Sequence, residues 1–239
     1  QITTITTAYT ANEAKGVSYT LTKASDEFTG GAKNDTFSAV IDANTAADNT
    51  FNPGDAIDGG AGTDTLKLTY AVDGAANTAA NFPGATISNI ENFEIKNTEA
   101  NDATINFANI TGETSVNNNL SIGGVVLNNL ASGTDADITG NGALTNGAST
   151  FNYVAAATSA DLDIIGGVTA GAVTVTGTGL KSLDVSSSGA ANTIGDLTID
   201  TTFTSFTIDA ATKLTTAQIH SSAATKLTIK GAGAVDINS

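Results

Sequence analysis

The chain has no cysteine, methionine or tryptophan, and all nine of its basic residues are lysines. Without cysteine there are no disulfides, no thiolate metal sites and no cysteine nucleophile. Without arginine the bidentate reading of bases and phosphates is lost, and 24 acidic residues against 9 basic ones leave a net charge of -15. Such a surface repels polyanions and attracts cations, so nucleic acid is not an expected partner. No apolar run approaches the length of a membrane span, so no membrane insertion is expected, and no charged-then-apolar signal segment precedes the fold. The chain reads as an excised or processed part of something longer. The two prolines, Pro53 and Pro83, are each followed by glycine and mark turns.

Aromatic residues make up only 5% of the chain, so a core must be built from small pieces. Those present are Val, Ile, Leu and Ala among many Thr, Ser, Asn and Gly, which suits pleated strands and tight turns. Only 14% of the residues are charged, which separates the chain from disordered sequences. The expected class is all-β. Phe93, Phe107, Phe151, Phe203 and Phe206 sit in alternating runs and read as core plugs or coil-end caps, whereas Tyr70 and Tyr153 carry polar tips that can reach the surface.

Two parts differ in character. Residues 1–100 include the acidic, glycine-punctuated stretch from Leu21 to about Asn97, preceded by alternating residues 1–20 that supply one or two strands. Residues 101–239 form a strand-turn array in which an apolar pair two residues apart recurs: Leu162/Ile164, Val173/Val175, Leu183/Val185, Leu197/Ile199, Phe206/Ile208, Leu227/Ile229 and Val235/Ile237, with Ala217/Ile219 as a weaker member. Residues two apart face the same side of a strand, so each pair points inward. The self-similar runs, with few hairpin signals beyond Asn141-Gly142 and Asn146-Gly147, favour an elongated parallel β-solenoid or β-roll; antiparallel β-sandwich modules are the alternative.

In the first part TGGAKNDTF (Thr29 to Phe37) is followed by DGGAGTDTL (Asp58 to Leu66), and the two align without gaps. Consecutive glycines permit positive φ and leave carbonyls uncovered, and Asp35 or Asp64, five residues after the first glycine, can close on the same centre. An all-oxygen set selects a hard cation, and a flexible one suits Ca2+ better than magnesium. The plainer reading is that these residues only form turns.

GGAGTDTLK (Gly59 to Lys67) resembles the nine-residue calcium repeat of RTX proteins, Gly-Gly-x-Gly-x-Asp-x-apolar-x, at every specified position. GGAKNDTFS (Gly30 to Ser38) departs only at Lys33, in place of the third glycine. The wider stretch from Leu21 to Lys96 is similar to a segment of calcium-dependent S-layer proteins of Gram-negative bacteria. The resemblance implies a secreted, extracellular protein of the bacterial cell surface, exported by a type I route, that folds on Ca2+ and assembles with copies of itself in a two-dimensional lattice, with cell-surface polysaccharide as a further partner. It also implies the metal ligands: Asp64 and Asp58 with the Gly59 and Ala61 carbonyls, Asp35 with the Gly30 and Ala32 carbonyls, and Glu91 from the next turn.

Enzymatic readings are weaker. His220 is the only imidazole and follows an inward Ile219, so it is expected to face solvent. No Gly-x-Ser-x-Gly elbow or Gly-Lys-Ser/Thr phosphate loop is present. The sequence reads as a structural surface-layer segment rather than an enzyme. A calcium-dependent adhesin spacer or carbohydrate-binding module is the first alternative, and a β-helical polysaccharide-active enzyme the second.

Overall fold

The computed structural model describes residues 15–42, 46–71, 84–200, 202–221 and 223–238. Residues 1–14, where part of the N-terminal strand pattern falls, and Pro83 lie outside them. Among the described residues the only helical element is the 3-10 turn Ala46–Asp48; the rest is strand, turn and bend. Every strand pair is parallel, which makes the molecule a β-solenoid. The antiparallel sandwich is not what forms, and Asn141-Gly142 and Asn146-Gly147 turn the corners between the sides of one coil instead of closing hairpins.

A ten-stranded sheet runs the length of the molecule: Ser18–Thr20, Thr36–Asp42, Thr65–Ala71, Asn92–Asn97, Ser115–Asn119, Asp135–Thr139, Ser159–Ile165, Ser182–Ser188, Ser205–Ala210 and Lys226–Lys230, each bonded to the next. What returns the chain from one of these strands to the next changes along the axis. At the N-terminal end it is one strand of a three-stranded sheet, Glu27–Thr29, Ala56–Asp58 and Thr86–Ser88. Later it is a strand of a six-stranded sheet, beginning with Ala103–Asn106 and Val125–Leu130. From Thr145–Asn146 onward a five-stranded sheet adds a third side, so each coil there holds three strands until the last, which holds Lys226–Lys230 and Val235–Ile237. The long sheet passes through residue 100, where the sequence changes character, without interruption: Asn92–Asn97 pairs with Ser115–Asn119.

Alternation explains the packing. Along Thr36–Asp42 and Thr65–Ala71, Phe37, Ala39 and Ile41 lie beside Leu66, Leu68 and Tyr70, all buried, while the residues between them face out. The same rule buries Leu162/Ile164, Val173/Val175, Leu183/Val185, Leu197/Ile199 and Phe206/Ile208. All five phenylalanines read as plugs are buried, and Phe93 meets Phe107 edge-on at 5.1 Å across the interior.

Two expectations need correction. Tyr70 and Tyr153 do not reach the surface. Tyr70 occupies an inward column between Ile41 and Asn97, and the Tyr153 hydroxyl donates to the Thr134 carbonyl at 2.8 Å; burial raises the pKa of both hydroxyls. Leu227 and Ile229 are 48% and 52% exposed, although their pattern is that of an inward face. Their strand, Lys226–Lys230, is the edge of the long sheet, with a neighbouring coil on one side only; Ile237 of the pair Val235/Ile237 is 44% exposed for the same reason, on the edge strand of the five-stranded sheet.

The coil corners are held by buried polar side chains. Asn192 accepts from the Gly167 and Val168 N–H groups at 3.0 and 2.7 Å and donates to the Ile164 carbonyl, the Ser187 hydroxyl and the Ser188 carbonyl. Each buried group left unpaired costs about 1–3 kcal/mol. Asn192→Ala is therefore expected to lower unfolding stability by about 3 kcal/mol or more in a urea titration, and a loss below about 0.5 kcal/mol would show that water replaces the side chain.

Candidate metal centre

Both motif copies form the corner between the three-stranded sheet and the long sheet. Because the strands run in register, Glu27 to Thr29 lie beside Ala56 to Asp58, and Thr36 beside Thr65, so the two corners stack residue over residue. The glycines are required by this closeness. A β-carbon on Gly30 would come within 2.0 Å of the Gly59 carbonyl oxygen, and one on Gly59 within 1.8 Å of the Asn89 carbonyl oxygen. Gly60 and Gly62 have positive φ, and Gly62 lies against the Lys33 backbone. Lys33 is exposed and, unlike Gly62, does not adopt positive φ, so the first copy tolerates a side chain there.

Asp35, Asp64 and Glu91 form a column of carboxylates, one per coil. The Asp64 N–H donates to Glu91 Oε2 at 2.8 Å, the Asp35 N–H donates to Asp64 Oδ1 at 2.6 Å, and the Val17 N–H donates to Asp35 Oδ1. Asp35 and Asp64 are buried and Glu91 is half-buried. Glu91 keeps the column going although its corner, Asn89-Ile90-Glu91, is shorter and has no glycine pair; Asn89 adopts positive φ there.

The two copies differ at one oxygen. In the first, Asp35 Oδ2 accepts from the Gly31 N–H at 2.6 Å, so both of its oxygens are engaged by backbone. In the second, the corresponding Gly60 N–H donates instead to Asp58 Oδ1 at 3.0 Å, which also accepts from Asn89 Nδ2 at 2.7 Å. Asp58 stands where the first copy has Thr29, and by capturing Gly60 it leaves Asp64 Oδ2 with no hydrogen-bond partner in a side chain that is 0% exposed. These bonds hold the Asp58 carboxyl below its ordinary pKa. Burial, with the charges of Asp35, Glu91 and Asp58 nearby, pushes that of Asp64 up.

The orphaned oxygen and the bare glycine backbone above it fit a hard cation, since both are oxygen donors or can expose them. Among the described residues no three His, Asp or Glu side chains converge on one point, so an ion at this corner needs backbone carbonyls to complete its shell. Gly30, Gly59, Ala32 and Ala61 lie on the stacked corner turns, with the Ala61 N–H donating to the Gly31 carbonyl at 2.9 Å. Asp35, Asp58, Asp64 and Glu91 are thus brought to neighbouring rungs of one corner.

A second carboxylate pair escaped the motif reading. Asp55 is buried, accepting from the Asp26 N–H at 2.9 Å and the Asn52 N–H at 2.6 Å. Asp26 and Asp55 precede Asp35 and Asp64 by nine residues each, and the Asp26-to-Asp55 bond repeats the Asp35-to-Asp64 bond one side of the coil earlier. A search for aspartates at the nine-residue interval would have found them.

His220 is exposed and pairs with Asp196 at 3.2 Å, away from any carboxylate column. No protein-family model matches the chain and no curated protein matches it.

Carboxylates also crowd the outward face of the long sheet, where Asp137 lies beside Asp163 and Asp161 beside Asp184, with Asp135 next to them. Burial and mutual repulsion raise the pKa of Asp135, Asp137 and Asp161, and burial raises that of Glu113. At pH 7 these groups are ionised in the unfolded chain, and folding brings their charges together. As the pH falls toward the ordinary carboxylate range, these groups bind protons in the native state before the unfolded state, so stability rises; the lowered pKa of Asp58 acts in the opposite sense. The gain levels off once the unfolded chain protonates too. In metal-free buffer the melting temperature is expected to be higher at pH 5 than at pH 7, and a fall over that interval would contradict the repulsion.

Proposed function

We propose that this chain is a structural segment of a self-assembling bacterial surface layer, whose coils are locked by Ca2+ at the Asp64 corner. The single observation supporting this most is the buried, unpartnered Asp64 Oδ2 beneath Gly59, within a column of carboxylates. Asp64, Asp58 and carbonyls of the Gly59 to Ala61 turn would hold the ion, with Glu91 beneath; Asp35 and the carbonyls of Gly30 and Ala32 supply the neighbouring rung. The ion supplies positive charge where like charges are stacked. The chain's own residues do the rest: the glycines bring the corners close enough to share a ligand, and the column couples each corner to the next.

An occupied site stabilises the folded state by RT ln(1 + [L]/Kd), about 2.7 kcal/mol at a hundredfold excess over Kd. Where free calcium is scarce the corner stays repulsive and the chain is easier to export; outside the cell the ion favours the compact solenoid. An elongated stack with acidic faces suits lattice contacts bridged by the same cation. No catalytic role is assigned.

Asp64→Asn is the informative variant, because the amide oxygen can keep the bond to the Asp35 N–H while the charge is removed. In chelator it is expected to melt at or above the wild type; in saturating calcium the wild type is expected to gain several degrees and the variant little. Equal calcium gains in both proteins would remove this corner from the account. For assembly, negative-stain images are expected to show ordered sheets in calcium and dispersed particles in chelator; identical images would separate the ion from the lattice.

A further inference from the structure

A groove of about 410 Å³ runs along the corner that follows the six-stranded sheet, well apart from the carboxylate column in sequence and using none of its residues. Its floor is a ladder of polar side chains. Asn106, Asn128, Asn152 and Thr176 occupy equivalent positions on four successive strands, and Asp200 follows the next strand, Leu197–Ile199. Asn152 Nδ2 donates to Asn128 Oδ1 at 2.6 Å, and the Thr176 hydroxyl donates to Asn152 Oδ1. An amide nitrogen carries two hydrogens and an amide oxygen two lone pairs, and each bond between Asn128, Asn152 and Thr176 uses one of them, whereas Asn106 Oδ1 is filled by the Ala108 N–H at 2.9 Å and by Asn129. Donors and acceptors therefore alternate along the groove at the spacing of parallel strands, about 4.8 Å.

Ladders of this kind stabilise stacked strands by themselves, and that alone would require only the in-register positions. The first rung, however, is closed from outside that register, by Asn129 and not by Asn128. Asn129 is an extra residue where the register shifts between Asn128 and Leu130, and it has φ 61, a left-handed conformation that asparagine adopts more readily than other non-glycine residues. Its side chain is exposed at the rim and donates to Asn106 Oδ1 at 2.7 Å. A glycine would take this conformation as easily but would remove the bond to Asn106, so the amide is what the position supplies. Thr178, also exposed, lines the groove too.

We propose that this groove is a binding site for a neutral glycan chain lying along the solenoid axis. Three features select that class. The lining is amide and hydroxyl, groups that match sugar hydroxyls because both sides donate and accept. Its only charged member, Asp200, is an anion that turns sulfated or phosphorylated polymers away. The rise per sugar of an extended β-linked chain is close to the rung spacing, so each sugar meets one rung and alternate sugars, which present the same face, meet equivalent partners two rungs apart. The groove is shallow, and binding of single sugars is expected to be weak, with affinity growing as more rungs are covered.

The test is an NMR titration of the full chain with a β-1,4-linked glucose hexamer, with glucose and a heparin hexasaccharide as comparisons. Backbone signals of Asn128, Asn129, Asn152, Gly177 and Thr178 are expected to shift together and saturate with the hexamer, at least tenfold tighter than with glucose. Asn129→Gly is expected to melt at or above the wild type and to bind the hexamer at least about fivefold more weakly. Thr178→Val, which changes no special backbone position, is expected to weaken binding about threefold and gives the reading should Asn129→Gly disturb the corner. Shifts scattered over the surface, wild-type affinity in these variants, or equal binding of the heparin hexasaccharide at the groove would overturn the proposal.

Discussion

The structure depends on parallel strands stacked in register, because that arrangement puts like residues over like residues. For Phe37 and Leu66 the result is a continuous apolar interior; for Asp35, Asp64 and Glu91 it is a row of carboxylates. Two unit charges one rung apart, about 4.8 Å, repel by about 3–4 kcal/mol at an effective dielectric constant near 20. Backbone N–H groups offset this by donating to the column, and they do so for both oxygens of Asp35. At Asp64 the offset is incomplete because Asp58 has drawn the Gly60 N–H away. A corner built this way has an electrostatic defect that a cation can relieve, and the proposed link between calcium and folding follows from that defect rather than from the number of acidic residues.

The same stacking rule gives the outer surface its character. Every outward position becomes a column, so the molecule presents a carboxylate patch around Asp137, Asp161 and Asp163, and a ladder of amides from Asn106 to Asn152, as long, regular features. Columns of one chemistry suit repetitive partners: another copy of the same solenoid, or a polymer with a matching repeat. The change from two strands per coil to three, near Thr145, alters which columns flank each other without breaking the long sheet. Surfaces of different chemistry are thereby carried on one continuous scaffold.

The all-β class, the parallel stacking and the inward pairs were legible in the sequence, because alternation with a period of two and a repeated motif are local signals. Phe37, Leu66 and the pairs from Leu162/Ile164 to Phe206/Ile208 follow from that alone. The tyrosines did not, since whether Tyr70 is capped by Ile41 and Asn97 depends on register between strands 27 to 29 residues apart. Leu227 and Ile229 failed for a related reason: alternation gives a side chain its direction but not the coil that would cover it. At the corner, the glycines and aspartates of both copies were visible, but the difference between Asp35 and Asp64 rests on one hydrogen bond diverted by Asp58. The Asp26/Asp55 pair shows in sequence only as a nine-residue interval before Asp35 and Asp64, and the corner amide Asn192 is an ordinary turn residue there; only stacking shows what they bond to.

The most direct measurement of the central claim is anomalous diffraction from crystals grown in saturating calcium. The account predicts a peak within about 2.3–2.6 Å of Asp64 Oδ2, with carbonyl oxygens of the Gly59 to Ala61 turn in the same coordination shell. A corner with no such peak, in which a backbone N–H or a water bonds Asp64 Oδ2 at full calcium, would contradict it.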